Sequence, residues 1–357
     1  MEPITHFLTG ACIGRSGLNR KTAYATLAAT LAAEAADLDV LWGLRGPVEG
    51  LKHHRGITHT LIGAPVVAAV IVGVVALLHF ARKRRPDAQP VRWGWLYATA
   101  LIAALSHILL DWTNNYGVRP FFPFNPRWYE GDLVFIAEPI LWALFALALI
   151  MPAIFGLTDR EIGARRKRFR GRGWAIFALT GMVALWGWRW FEQSQARTLL
   201  SHTQVTSAPV ARVAFEPYPV NPWRWHAILE TPNYYRTVEI NTLTGTIDSD
   251  SNADILYKPE STLATEAAKR TLLGQVYLDW SSWPVVRDLG QAPVPGTDPP
   301  KLPPDRTWTT VEFSDLRFSY AFLGAESHRP PAGLSGWVYI VDGREEAAEG
   351  MGSKEQK

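Results

Sequence analysis

The sequence predicts a mainly α fold: a multi-pass transmembrane helix bundle over residues 1–200, then a small extracytoplasmic α+β domain over residues 201–343, and a disordered tail over residues 344–357. Three observations carry this reading. Long apolar runs at residues 61–80, 93–111, 133–157 and 174–191 are parted by polar breaks, and about 20 apolar residues are what a helix needs to cross a bilayer. Basic residues gather at 82–85 and 165–172, the pattern of cytoplasmic loops under the positive-inside rule. From about residue 201 the apolar runs give way to short β-branched and aromatic stretches broken by Gly, Pro and Asn, a strand-and-turn signature. Mean hydropathy over the chain, −0.02, conceals this split.

The elements follow in order. Residues 4–14 form an apolar segment too short to span, with Gly10 and Gly14 at a spacing that permits close helix approach. Residues 22–36 read as an alanine-rich helix whose far end carries Glu34, Asp37 and Asp39, and residues 41–52 as a loop. Thr58 is placed to cap the helix that follows, with His59 in its first turn and Gly56 giving the preceding loop freedom to turn. In the run at 133–157, Glu138-Pro139 marks either a kink or a polar support. Beyond residue 201, strands are expected at 211–215, 225–230 and 235–240, with a hairpin turn at Leu243-Thr244-Gly245. A helix is expected at 261–277, a loop at 285–304, and closing strands at 308–320 and 336–341.

Composition excludes several classes. A net charge of +3 in 357 residues argues against a general polyanion binder, and no nucleic-acid partner is expected. Cys12 is the sole cysteine, so no intrachain disulfide can form. Met1-Glu2-Pro3 provides no basic leader to an apolar core, and no cleavable signal peptide is expected. Trp42, Trp93, Trp95, Trp112, Trp128, Trp174 and Trp190 flank apolar runs, as interfacial anchors do.

With both basic clusters cytoplasmic, the successive runs alternate in direction without conflict. Asp37, Asp39, His54, His59, His107 and Asp111 then all fall near the outer face. His107 and Asp111 stand at i, i+4 and share a helix face. Asn114 extends that stripe if the helix continues. Carboxylates and imidazoles beside membrane helices are costly unless something binds them. As a set they suit a divalent metal: zinc, or manganese or iron. His6, Asp37, His54, His59, His107 and Asp111 are the candidate ligands, more than one tetrahedral ion needs, which leaves room for a two-metal site. Asp39 is the candidate general base, and Arg55, with its forked guanidinium, the candidate binder of an anionic substrate group. His53 and His79 are read as structural, and His202, His226 and His328 carry no assignment. The competing reading is a non-enzymatic membrane scaffold or partner-binding protein whose polar cluster is structural. A transporter would need polar residues through the full bundle depth, and the cytoplasmic half has few.

Four elements together, Pro3-Ile4-Thr5-His6, Ala36-Asp37-Leu38-Asp39, His54-Arg55-Gly56-Ile57-Thr58-His59 and Ser106-His107-Ile108-Leu109-Leu110-Asp111, resemble the LexA-binding, inner-membrane-associated hydrolase family (YdjM-like), also described as membrane-bound metal-dependent hydrolases. The resemblance covers roughly residues 1–155. It implies a bacterial inner (cytoplasmic) membrane protein, multi-pass, with a metal-dependent hydrolase activity. Matched position by position, its polar set falls on His6, Asp37, Asp39, His54, His59, His107 and Asp111. The outer domain is then periplasmic. Membrane lipids are the expected partners, and a lipid headgroup ester or a phosphoester the expected substrate, because the site lies at headgroup depth. Nothing in the residues supports LexA binding.

Overall fold

The computed structural model describes residues 1–82, 88–161, 169–248, 254–320 and 334–352. The basic residues expected at 83–85 and 165–168, and His328, lie outside the described residues. The chain divides into two compact units. One comprises Met1–Asp39, Arg55–Gln195 and Pro217–Trp223, the other Val40–His54, Ala196–Glu216 and Arg224–Lys357.

The first unit is helical. Helix α1 (Pro3–Arg15) lies against α2 (Ala25–Glu34) at very short range. A Cβ on Gly10 would meet the Ala29 carbonyl, and one on Gly14 would overlap Thr26, so only glycine permits this approach. The alanines Ala28, Ala29, Ala32 and Ala33 fill the facing stripe and are buried. The α2 helix is shorter than its apolar run suggests: from Ala35 the chain tightens into a 3-10 stretch, Ala35–Arg45, and both Asp37 and Asp39 ride on it. After α3 (Pro47–His53), which belongs to the second unit and lies where a loop is expected, come α4 (Gly63–Ala81), α5 (Trp93–Thr113), α6 (Pro139–Glu161) and α7 (Arg172–Ser201). Among the described residues three helices are long and apolar enough to cross a membrane: Gly63–Ala81, Trp93–Thr113 and Pro139–Thr158. The expected fourth run lies inside α7 but is not among them. Glu138 neither kinks a helix nor supports the histidines. It immediately precedes α6, buried, and pairs at 3.0 Å with Arg189 of α7. Arg189 also donates to the carbonyls of Tyr218 and Asn221, and Val220 N–H donates to Glu138. Residues 217–223 are thereby strapped onto this unit, which does not end at residue 200 as expected.

The second unit is α+β. Strands β1 (Arg212–Pro217), β2 (Arg224–Glu230), β3 (Tyr234–Asn241) and β4 (Thr246–Asp248) form an ordered sheet, with β5 (Ile255–Tyr257) also pairing β3. The β3–β4 hairpin turns at Gly245, in the left-handed region at φ 69°, as its sequence indicates. The expected single helix is two, α8 (Leu263–Ala268) and α9 (Leu272–Trp280), each capped by its own threonine, Thr262 and Thr271. A second sheet runs β6 (Pro284–Asp288), β7 (Trp308–Asp315), β8 (Gly336–Val341) and β9 (Glu345–Met351). Two expectations fail here. The region 285–304 begins in β6, and the tail expected to be disordered forms β9, paired antiparallel with β8. The reason is that β9 is an edge strand: its pairing is main-chain, Glu345 and Glu346 face solvent, and charged edges discourage further pairing. Trp337 Nε1 donates to the Gly352 carbonyl and closes it. Asp315 is fully buried, held by Arg317 at 2.8 Å and by the Ser281 hydroxyl.

Candidate metal centre

Four segments bring the polar residues together. His6 comes from α1, Asp37 and Asp39 from the 3-10 stretch, Arg55 and His59 from the segment before α4, and His107 and Asp111 from α5. Against expectation, Thr58 caps no helix. Ile57–His59 is a separate 3-10 turn, and α4 begins only at Gly63, whose amide is capped by Thr60 Oγ1 at 2.9 Å. A Cβ at residue 63 would collide with the Ile57 carbonyl, so the turn folds tightly against the helix start. The left-handed turn lies not at Gly56 but at Arg55, φ 51°. That conformation costs a non-glycine residue about 1–2 kcal/mol. The Arg55 amide offsets the strain by donating to Asp39 Oδ2 at 2.7 Å. Helix α5 stops at Thr113, and Asn114 is extended (φ −93°, ψ 174°), so it leaves the stripe of His107 and Asp111.

His6, His59, His107 and Asp111 are fully enclosed, and Asp37 is the most open of the set, its side chain 17 % exposed. His59 Nε2 lies 3.3 Å from Asp37 Oδ1 and 3.5 Å from Asp111 Oδ2; His107 Nε2 lies 3.5 Å and 3.3 Å from the same two oxygens. Donor atoms on one tetrahedral ion with bonds of about 2.0–2.2 Å sit roughly 3.3–3.6 Å apart. Two overlapping groups could hold a metal ion: Asp37, His59 and His107, and His6, His107 and Asp111.

The ring nitrogens behind these atoms are already committed. His107 Nδ1 is 2.6 Å from the Ala33 carbonyl, which can only accept, so Nδ1 carries the proton and Nε2 presents a lone pair. His59 Nδ1 faces Asp39 Oδ2 at 3.3 Å. Such outer partners are what orient metal-ligating histidines. Meanwhile both ring nitrogens of His6, His107 Nε2, Asp37 Oδ2 and Asp111 Oδ2 have no hydrogen-bond partner among the described residues. Each such buried group costs about 1–3 kcal/mol. A divalent cation satisfies several at once, and the nitrogen–oxygen donor set suits zinc, manganese or iron. These residues therefore fit a metal.

The carboxylates and imidazoles of the cluster also act on one another, and a cation that binds here takes the place of the proton His59 would share with Asp37. Burial alone would raise the Asp37 carboxyl, but the hydrogen bond from His59 and the neighbouring His107 and His6 hold it below the usual carboxylate range. Burial alone would lower His59, but Asp37 and Asp39 on its two sides raise it above the ordinary imidazole value.

The remaining candidates are placed differently. His54, at the C-terminal end of α3, is in neither metal group. His53 stacks on Trp42 at 4.0 Å. His79 packs edge-on against Tyr24 and Trp93. Arg55 is 2 % exposed. Its Nη2 binds Asp111 Oδ1 at 2.8 Å, Nη1 donates to the Gly117 carbonyl, and its guanidinium lies 4.6 Å over the Tyr116 ring. Asp39 has its Oδ2 shared between the Arg55 amide and His59. The Ala33 and Gly117 carbonyls, which orient His107 and Arg55, are main-chain groups that no sequence signal marks.

No solved structure matches this chain. The uncharacterized protein YfhP of Bacillus subtilis (strain 168) is 28 % identical over 151 residues, 40 % of this chain and 43 % of that protein. The chain thus spans less than half the length of that relative. The model of the YdjM inner membrane protein family matches residues 1–196, more than half of the chain, and the chain belongs to that family.

Proposed function

We propose that this protein is a metal-dependent hydrolase of the bacterial inner membrane, with its site at the outer face and a lipid or phosphoester substrate. The observation that carries the reading is the enclosure of His59 Nε2, His107 Nε2, Asp37 Oδ1 and Asp111 Oδ2 at ion-sharing separations. A divalent cation there supplies Lewis acidity toward water and toward an ester or phosphoester oxygen. The chain's own groups do the rest. His107 is held in one tautomer by the Ala33 carbonyl, and His59 is oriented by Asp39 Oδ2 and Thr58 Oγ1 at its Nδ1. Asp37, the most open residue of the set, offers Oδ2 as proton acceptor. Asp39 and Arg55 position ligands and touch no substrate. Exposed Trp112, at the end of α5 that carries His107 and Asp111, suits a headgroup-level site, with membrane lipids as partners and the second unit periplasmic.

The test is metal content and hydrolysis in the full chain purified in mild detergent. Stoichiometric zinc, manganese or iron, and cleavage of a chromogenic ester or phosphodiester, both lost in His59→Ala and His107→Ala, is the expected result. A folded, metal-free protein refutes the reading. Metal without hydrolysis of any such probe favours the structural alternative.

A further inference from the structure

We propose that the centre takes one divalent cation, on Asp37, His59, His107 and Asp111 Oδ2, and that Arg55 is a built-in cation filling the place of a second ion against Asp111 Oδ1. The inference rests on the metal-site reading above and narrows it.

The two candidate groups both require His107. Its Nδ1 proton is spent on the Ala33 carbonyl, so Nε2 has a single lone pair and can serve one ion only. The groups are therefore alternatives. Asp111 decides between them, because its two oxygens differ. Oδ2 has no hydrogen-bond partner among the described residues and faces His59 and His107. Oδ1 already receives the Arg55 guanidinium and lies 3.4 Å from His6 Nε2. An ion in the His6 group would have to displace that guanidinium from its carboxylate.

Arg55 is not free to withdraw. The Gly117 carbonyl, the Tyr116 ring and the Asp39 carboxylate, which takes the Arg55 amide, fix it from three sides. Replacing a second dication by a fixed guanidinium leaves less positive charge in an enclosed site. His6 then stacks on His107, centroids 3.7 Å apart and planes at 18°, as a wedge rather than a ligand.

The experiment strips the full chain with chelator in detergent, loads it with zinc alone, and measures zinc per chain and affinity. One zinc per chain is expected in the wild type and in Arg55→Lys. His6→Ala retains that zinc within about tenfold of wild-type affinity, whereas His59→Ala loses it by more than the roughly 10–100-fold typical of an outer partner. Arg55→Ala takes up a second, weaker zinc, which the additional change His6→Ala removes. Two zincs in the wild type, loss of zinc in His6→Ala, or an Arg55→Ala protein that folds and stays at one, each overturns the inference while leaving a metal centre standing. If Arg55→Ala does not fold, the wild type and His6→Ala still decide. No zinc in the wild type overturns the metal reading itself.

Discussion

Asp39→Asn separates two roles for one carboxylate. As a general base, Asp39 would leave zinc affinity untouched when changed, while hydrolysis fell by about 10²–10⁴. The geometry assigns it otherwise, since one oxygen, Oδ2, serves both the Arg55 amide at 2.7 Å and His59 Nδ1 at 3.3 Å. Asparagine's one oxygen can still face both the Arg55 amide, which holds a left-handed turn, and His59 Nδ1, but it carries no charge, so the pull that fixes the proton on Nδ1 weakens and Thr58 Oγ1, at 3.1 Å, is that nitrogen's other polar neighbour. The tautomer with the proton on Nε2, which cannot ligate, becomes accessible. Losing such an outer partner costs roughly 10–100-fold in metal affinity, equivalent to about 1.4–2.8 kcal/mol at 1.4 kcal/mol per tenfold. The assay is zinc titration against a competing chelator, with wild type and variant in the same detergent. Wild-type affinity in a folded Asp39→Asn protein would refute the positioning argument and restore the base.

Other outcomes follow from the packing. Gly14→Val should lower thermal stability of the detergent-solubilised chain by about 1–3 kcal/mol, because its side chain would overlap Thr26 on α2; an unchanged melting profile would show that the helices can separate. Asp315→Ala should cost the second unit about 3–5 kcal/mol by leaving the enclosed Arg317 charge unpaired, read as a denaturant-midpoint shift in that unit's near-ultraviolet signal. Burial alone would raise Asp315, but the Arg317 charge and hydrogen bonds from Arg317 and Ser281 hold it below its ordinary value. Its stabilising contribution is therefore complete above the unfolded carboxyl value, near pH 4, and fades as pH falls through the folded value. Acid titration of Asp315→Asn should show a shallower loss of stability below about pH 4 than wild type; identical slopes would count against it.

The bundle and its polar set were legible because membrane helices and ligand-type side chains both leave strong local marks. The apolar runs at 61–80 and 93–111 match α4 and α5 within three residues at each end. His6, Asp37, His59, His107 and Asp111 are brought to one place. What stayed hidden depends on partners distant in sequence. Arg55 looked like an anion binder because nothing nearby reveals that Asp111, 56 positions on, receives it. Thr58 had the chemistry of a cap, but the tight turn against Gly63 gives that task to Thr60. Strand β9 was misread because an edge strand held through main-chain pairing can carry the composition of a tail.

The strap formed by residues 217–223 bears on the order in which the protein is made. The family match ends at residue 196, yet Arg189 and Glu138 also take backbone partners at Tyr218, Val220 and Asn221. During synthesis the apolar helices emerge first, and for more than 20 further residues this buried ion pair waits for its carbonyls and amide. A chain cut after residue 200 would stay in that waiting state. The membrane unit thus matures late, and the chain that follows its last helix supplies its final closure.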